Sequence, residues 1–290
     1  MICPLFAALP PHLQYRAFAL PPPDTRKIIL ATNIAETSVT VPGVRFVIDP
    51  GLSKRRKFNA QLGIETLQIH PISKSSAAQR AGRAGREAPG KCYRLYPTSD
   101  FDVLADNTTP EIRDCDITSL VLTLKIQGHD DILNFPFLDR PKRESVVRGL
   151  EVLYLLGALD REGRPTDLGK EMNLLPLSPE LAKVLISSTR EGESNCVAEV
   201  IDIIACMSAS SASSNAIFMM PNAENRETIT ENRMHFVSVY GDHITLLQAF
   251  REYLSVVKLA SGVKDWCNRW GINRRVMKNV VVLSSFSSDF

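Results

Sequence analysis

Gln79, Arg83 and Arg86 lie at i, i+4 and i+7 within the run Gln79-Arg80-Ala81-Gly82-Arg83-Ala84-Gly85-Arg86. On a helix of 3.6 residues per turn, that spacing sets one amide and two guanidiniums on a single face and turns Arg80 elsewhere. Grouped guanidiniums are suited to holding phosphate. Two glycines sit among them, and each costs roughly 1 kcal/mol relative to Ala inside a helix. Their presence points to a bulky anion that must approach the backbone closely. A solvated basic surface helix is the alternative.

A second concentration of charge is Lys54-Arg55-Arg56-Lys57. It fits a nucleic-acid contact, a nuclear-import signal or a solvated turn, and alone it does not choose between them. The chain has 34 Lys and Arg against 32 Asp and Glu, a net charge of +2, so any affinity for nucleic acid must come from such local patches. Lys91 and Arg94 add to the arginine-rich one.

Other chemistries are disfavoured. Six cysteines are scattered without a C-x-x-C spacing and five histidines are equally dispersed, so no metal site is assigned and no disulfide framework emerges. The thiols read as core or incidental groups of a reducing compartment. Gly85-Arg86-Glu87-Ala88-Pro89-Gly90-Lys91-Cys92 imitates a phosphate-binding P-loop, but Cys92 stands where Ser or Thr should hold magnesium. Its context is reversed too, since a P-loop joins strand to helix and this segment joins helix to strand. No apolar run approaches the roughly 18 residues that span a bilayer, which argues against a membrane partner. No basic stretch precedes an apolar one at the N-terminus, so an intracellular location, nuclear or cytoplasmic, is expected.

The elements that must carry these residues change along the chain. Lys27–Ala31, Val44–Asp49 and Cys92–Tyr96 read as short strands, the last one buried, and Ser75–Gly85 as a helix, an alternation that implies a largely parallel sheet. Thr32 follows a strand end, where ligand-binding loops of such sheets belong. Leu52–Pro71, which contains the basic tetrad, alternates apolar and polar residues and reads as a hairpin excursion.

Asp116–Lys125 and Glu144–Leu156 read as amphipathic helices, the second turning Val147, Leu150, Leu153 and Leu156 inward and stopping at Gly157. A short hairpin around Glu162-Gly163 follows, a winged-helix pattern. Beyond Pro176 the chain is mostly helical, with helices over Leu181–Ser188 and Val197–Met207, a Ser/Ala-rich loop at Ser208–Ser214, and a helix capped by Asp242 with Ile244, Leu247, Phe250 or Arg251, Leu254 and Val257 on its core face.

Taken together these segments resemble the C-terminal half of a DEAH-box RNA helicase. Leu9-Pro10-Pro11-His12 through Arg16-Ala17-Phe18 is similar to the region near helicase motif IV. Ala31-Thr32-Asn33-Ile34-Ala35-Glu36-Thr37-Ser38-Val39-Thr40 is similar to motif V, and Gln79–Arg86 to motif VI followed by Pro89–Tyr96. Gly241-Asp242-His243-Ile244-Thr245-Leu246-Leu247 resembles the family's ratchet-like helical domain.

The resemblance covers about residues 1–279. It implies a truncated second RecA-like domain over 1–107, a winged helix over 108–175, a ratchet-like domain over 176–279 and a divergent tail over 280–290. The implied fold is thus an α/β RecA-like parallel-sheet domain followed by mostly helical winged-helix and helical-bundle domains.

The resemblance also implies roles. Arg83 and Arg86 are expected as arginine fingers on the γ-phosphate, with Gln79 holding that phosphate or the attacking water. Phe18 is expected to stack on adenine, and Ser38 and Thr40 to touch the nucleotide. Thr32 and Asn33 are expected on the backbone of single-stranded RNA, and Lys54, Arg55, Arg56 and Lys57 on a hairpin that wedges or guides strands. Pro42 stands where some relatives carry an aspartate facing the ribose, so sugar selectivity is expected to be loose.

ATP with Mg2+ is the implied cofactor, RNA the implied partner, and 3′ to 5′ translocation the implied direction; a helicase-activating protein cofactor is a further expected partner. The 290 residues hold neither a Walker A loop nor a D-E-x-H motif, which in the family belong to a preceding RecA-like domain. The chain alone is therefore expected to lack ATP turnover. The uncharged apolar run Val280-Val281-Val282-Leu283 is expected to be aggregation-prone if exposed, and the chain is expected to be a truncated product or isoform. A catalytically dead module that binds RNA or a helicase cofactor is the alternative from another functional class.

Overall fold

The computed structural model describes residues 1–7, 9, 11–189, 196–213, 216–219, 221, 223–259 and 262–287. Pro10 of the motif IV-like segment, Ser214 of the Ser/Ala-rich stretch and 288–290 of the tail lie outside them. The chain divides into two compact units, Met1–Lys170 and Glu171–Phe290.

The first unit opens with β1 (Ile2–Leu5), α1 (Pro11–Phe18), β2 (Ile28–Ala31), α2 (Ile34–Thr37) and β3 (Phe46–Asp49). Next come β4 (Leu52–Asn59), β5 (Ile64–Pro71), α3 (Lys74–Gly82), β6 (Lys91–Arg94) and α4 (Thr98–Asp102). β1 pairs with β2 in parallel, with Leu5 opposite Ala31, and β3 pairs with β6 in parallel, with Asp49 opposite Arg94. β4 and β5 form an antiparallel ribbon from Leu52 opposite Pro71 to Asn59 opposite Ile64. The parallel strands and the hairpin expected from the sequence are both present. Cys92–Tyr96 was expected to be buried, but Cys92 is only half-buried and Tyr93 exposed, because the strand is paired on one side only.

The helix expected over Ser75–Gly85 begins a residue earlier and ends at Gly82. Ser73 caps it, accepting from the Ser76 amide at 3.1 Å. Beyond Gly82 the backbone tightens into i to i+3 bonds, from Arg83 to Arg80 at 3.1 Å and from Ala84 to Ala81 at 3.1 Å.

A single turn over Glu111–Arg113 leads to α5 (Thr118–Ile126) and α6 (Arg143–Leu155). The carboxylate of Asp116 accepts from the Thr118 amide at 3.0 Å and so starts α5. α6 buries Ser145, Val146, Gly149 and Leu153, whereas Val147, expected inward, is exposed. Close packing on α5 rotates the stripe: a Cβ on Gly149 would meet the Thr118 Cα at 3.4 Å. Gly157 adopts φ +76° and ends the helix, as its position predicts. The expected hairpin is a short bridge between Leu159 and Pro165, turned at Gly163, which leads into α7 (Asp167–Leu174).

The second unit is helical: α8 (Pro179–Ser188), α9 (Val197–Ser213), α10 (Arg226–Arg233), α11 (Asp242–Lys258), α12 (Val263–Trp270) and α13 (Arg274–Ser287). α9 runs six residues past Met207, through the segment expected to be a loop. Ala209 is small enough to bury there, and the Ser210 hydroxyl bonds back to the Cys206 carbonyl at 2.9 Å rather than breaking the helix. Asp242 is the first helical residue of α11, not its cap; Gly241 holds that place at φ +110°. Leu247 and Phe250 are buried as expected, but Val257 is exposed and Ala249 and Tyr253 complete the inner face.

The apolar run at 280–283 is helical. Val276, Met277 and Val280 are buried at i, i+1 and i+4 where α13 packs along α9. Helical period, not β-propensity, places these valines, and packing overrides local preference.

Candidate functional site

Three neighbouring segments of the first unit build the site: 32–40 after β2, the turn after β3, and the C-terminal end of α3. Their anchor is Asp49, whose side chain is fully buried at the end of β3. Its Oδ1 accepts from Arg80 Nη1 at 2.7 Å and from the Gly51 amide at 3.0 Å, and its Oδ2 accepts from the Tyr96 hydroxyl at 3.2 Å. Arg80 Nε donates to Glu36 Oε2 at 2.9 Å, so one guanidinium ties α2, β3 and α3 together. Burial opposes the Arg80 charge, but hydrogen bonds from Asp49 and then Glu36, with their negative charge, outweigh it and raise its affinity for the proton. A buried charge so paired fixes the rotation of α3, since removing one partner strands the others without water.

The helical face expected for Gln79, Arg83 and Arg86 is not formed, because α3 ends at Gly82 and both arginines stand on the turn beyond it; their partners still differ from those of Arg80. Arg83 donates to the Glu36 and Val39 carbonyls, and Arg86 donates to the Thr40 hydroxyl. Both guanidiniums therefore converge on 36–40, where, among the described residues, they meet only neutral acceptors. Burial and then the charge of Arg86 hold Arg83 below its usual value, against the weaker opposing charge of Glu36. An anion fits this arrangement.

Gln79 is exposed, with no side-chain hydrogen bond among the described residues, so its amide is free for a ligand. The glycines leave room: a Cβ on Gly82 would meet nothing within 4 Å, and one on Gly85 only the Gly82 carbonyl at 4.0 Å. Neither takes a positive φ, so open space at the backbone is what distinguishes them.

The segment 32–40 leaves β2 in a tight course. The Ala35 amide bonds to the Thr32 carbonyl at 3.2 Å and the Glu36 amide to that of Asn33 at 3.0 Å. Thr32 and Asn33 are exposed; Asn33 occupies the cap position of α2 without using its side chain there. Ser38 and Thr40 are also exposed, the Ser38 hydroxyl lying 3.5 Å from that of Thr37. Phe18 ends α1 half-buried against the cluster of Cys3, Leu5 and Ala17.

The basic tetrad does not form one patch. On β4 its residues alternate, so Lys54 and Arg56 lie on one face of the ribbon and Arg55 and Lys57 on the other. Arg56 lies 3.7 Å from Glu65 across the ribbon, and Arg55 Nε donates to the Ser53 hydroxyl at 3.2 Å. The P-loop imitation dissolves as well. A Cβ on Gly90 would lie 2.3 Å from the Ala84 carbonyl oxygen and 2.5 Å from that of Arg45, so this glycine serves backbone packing. Among the described residues no group of three or more His, Cys, Asp or Glu could hold a metal ion, and no helix is long and apolar enough to cross a membrane.

Sequence reasoning missed Glu36 and Asp49, the carboxylates that orient α3. A local signal existed for the second: an acidic residue ending an apolar strand just before Pro50-Gly51.

Comparison with known proteins gives three consecutive family matches: the helicase conserved C-terminal domain over residues 2–88, the winged-helix helicase associated domain (HA2) over 149–177 and the ratchet-like HA2 domain over 178–246. The chain is 42% identical over 286 residues to the pre-mRNA-splicing factor ATP-dependent RNA helicase DEAH10 of Arabidopsis thaliana, covering 95% of this chain and 39% of that protein. It is 43% identical over 285 residues to the probable ATP-dependent RNA helicase DHR2 of Saccharomyces cerevisiae, covering 96% and 38%. The crystal structure of the E. coli DExH-box NTPase HrpB superposes with a TM-score of 0.66 at 34% identity, over 72% of this chain and 25% of that one. The chain thus spans about two fifths of the length of the curated relatives, at 39% and 38%.

Proposed function

We propose, from the premise that this chain belongs to the DEAH-box RNA helicase family, that it is the portion of an ATP-dependent RNA helicase that presents the arginines of phosphoryl transfer and one wall of the RNA path. The observation that carries this proposal is the convergence of Arg83 and Arg86 on 36–40 with only neutral acceptors among the described residues. Bound ATP with Mg2+ supplies the phosphoryl group whose hydrolysis drives movement, and the magnesium ligands belong to a preceding RecA-like domain.

Within this chain, Arg83 and Arg86 exchange their carbonyl and hydroxyl acceptors for γ-phosphate oxygens. Their present bonds carry one ionised partner, the guanidinium; a phosphate oxygen adds an opposite charge, which favours the exchange. Because both arginines already contact 36–40, nucleotide capture and release act on the segment that holds Thr32 and Asn33. Those two side chains grip the RNA backbone, which gives position without sequence preference. Gln79 orients the γ-phosphate or attacking water, Ser38 and Thr40 sense the nucleotide, and Phe18 offers its exposed ring area to the base. The β4–β5 ribbon guides the displaced strand, and a nuclear or cytoplasmic RNA is the substrate.

Strand displacement tests this. The chain joined to a P-loop-bearing RecA-like domain of a relative is mixed with ATP and an RNA duplex carrying a 3′ or a 5′ single-stranded tail. ATP-dependent release from the 3′-tailed duplex alone is expected. Equal release from both would remove the polarity, and hydrolysis without release from either would remove translocation.

A further inference from the structure

The base of the β4–β5 ribbon forms a cavity of about 360 Å3 with the segment 105–114 and the start of α6. Four cationic side chains line it, Arg55 and Lys57 from β4 together with Arg113 and Lys142, against the single carboxylate of Asp114, and Arg56, turned to the other face of the strand, borders it. Residues far apart in the chain are brought together by specific bonds. The Phe58 amide donates to the Asp114 carbonyl at 2.7 Å, and Lys142 Nζ lies 3.4 Å from the Asp114 carboxylate. Asp114 is therefore committed to Lys142, and Glu65 to Arg56 at 3.7 Å. Among the described residues, Arg55, Lys57 and Arg113 have no ion pair. Asn107 and Thr109 add neutral hydrogen-bonding groups to the wall, and Ile72 a buried apolar floor.

Like charges gathered in one concavity repel, and a confined volume with low-dielectric walls strengthens that repulsion. The volume falls in the range of small-ligand pockets. Guanidiniums arriving from two different elements suit a group that offers oxygens in several directions, as a tetrahedral phosphate does and a planar carboxylate does not. We infer that this cleft binds adjacent phosphate groups, held by Arg55, Lys57, Arg113 and Lys142. The same chemistry is offered by a free oligophosphate and by consecutive phosphates of an RNA strand. Arg113 and Lys142 play no part in the function proposed above, and only the RNA source rests on it.

Binding of inorganic tripolyphosphate to the 290-residue chain, measured by calorimetry at about 0.15 M salt, is the direct test. With Arg83→Gln/Arg86→Gln in every chain compared, which silences the other anion site, saturable one-to-one binding is expected, weakened roughly tenfold or more by the further pair Lys57→Gln/Arg113→Gln, which removes two charge-assisted partners. Adding the exposed pair Lys258→Gln/Lys264→Gln instead should leave binding unchanged. Absence of saturable binding, or equal binding by the cleft and control variants, would overturn the inference.

Amine labelling of the unaltered chain gives an answer independent of variant folding. Tripolyphosphate should protect Lys57 and Lys142 and leave Lys258 reactive; uniform labelling counts against the cleft. Competition with a fluorescent single-stranded RNA then separates the sources. Displacement of RNA by tripolyphosphate, with weaker RNA binding in the cleft variant, identifies strand phosphates. Unchanged RNA affinity beside lost tripolyphosphate binding identifies a free oligophosphate.

Discussion

Asp49 in the first unit and Phe250 in the second are both buried, and opposite physics holds each in place. Asp49 is surrounded by donors from Arg80, Gly51 and Tyr96. Phe250 belongs to an apolar cluster with Phe236, Tyr253, Trp270, Met277 and Val280, in which Phe236 and Trp270 meet edge-on at 4.8 Å. The parallel strand pairs of the first unit leave Ile2, Leu30, Phe46 and Ile48 exposed, so apolar burial contributes less around Asp49. Packing is tolerant of direction, whereas a buried, hydrogen-bonded charge fixes one rotation of a helix. The contrast shows how an ion-paired anchor sets α3, and with it the turn beyond Gly82 that carries Arg83 and Arg86.

The comparison breaks most visibly at its two anchors. Asp49→Ala should cost about 3–5 kcal/mol, because Arg80 is left buried beside a missing partner. Hydrogen exchange should then accelerate across β3 and α3. Phe250→Ala should cost a similar 3–5 kcal/mol by cavity formation, with faster exchange across α9 and α11. If Asp49→Ala left the amides of β3 and α3 as protected as before, the polar anchor would be an ornament of the fold and not its support.

Gly90→Ala tests backbone packing next to the site at a smaller scale. The added carbon would press on the Ala84 and Arg45 carbonyls, and overpacking of this kind costs about 1–3 kcal/mol. A melting temperature within error of the unaltered chain would show that the loop gives way freely.

The smallest effect concerns the second unit. Burial pushes the Cys206 thiol from 9.0 up to about 12. A raised acid favours the neutral form in the folded state, so its stability contribution is complete below about pH 9 and is lost as pH rises toward 12. Cys206→Ala should flatten that alkaline decline. A decline of the same slope in both proteins would assign it to other groups.

Much of this was legible in the sequence where the signal is local. Gly157 stops α6 and Gly163 turns the small hairpin, because each needs a positive φ that glycine supplies cheaply. The helical spacing of Gln79, Arg83 and Arg86 misled, since α3 ends at Gly82 and tight turns carry both arginines. The helix-to-strand order around Gly90 exposed the false P-loop.

What escaped was set by distant partners. Arg80 meets Asp49 across 31 residues and Glu36 across 44, distances at which no periodicity speaks. The tetrad at 54–57 read as one patch because charge in a string carries no face; pairing of β4 with β5 divided it. The valines of α13 have β-forming side chains, and it is the surface supplied by α9 and α11 that selects the helical period.

RNA-stimulated ATP hydrolysis, measured for the 290-residue chain alone and for the chain joined to a P-loop-bearing RecA-like domain, tests the central claim most directly. The chain alone should turn over no ATP. The joined protein should hydrolyse it, and Arg86→Ala should reduce that rate about 10³-fold or more, the scale of a lost arginine finger. Hydrolysis by the chain alone that disappears with Arg86→Ala, or full activity of the joined Arg86→Ala protein, would contradict the account.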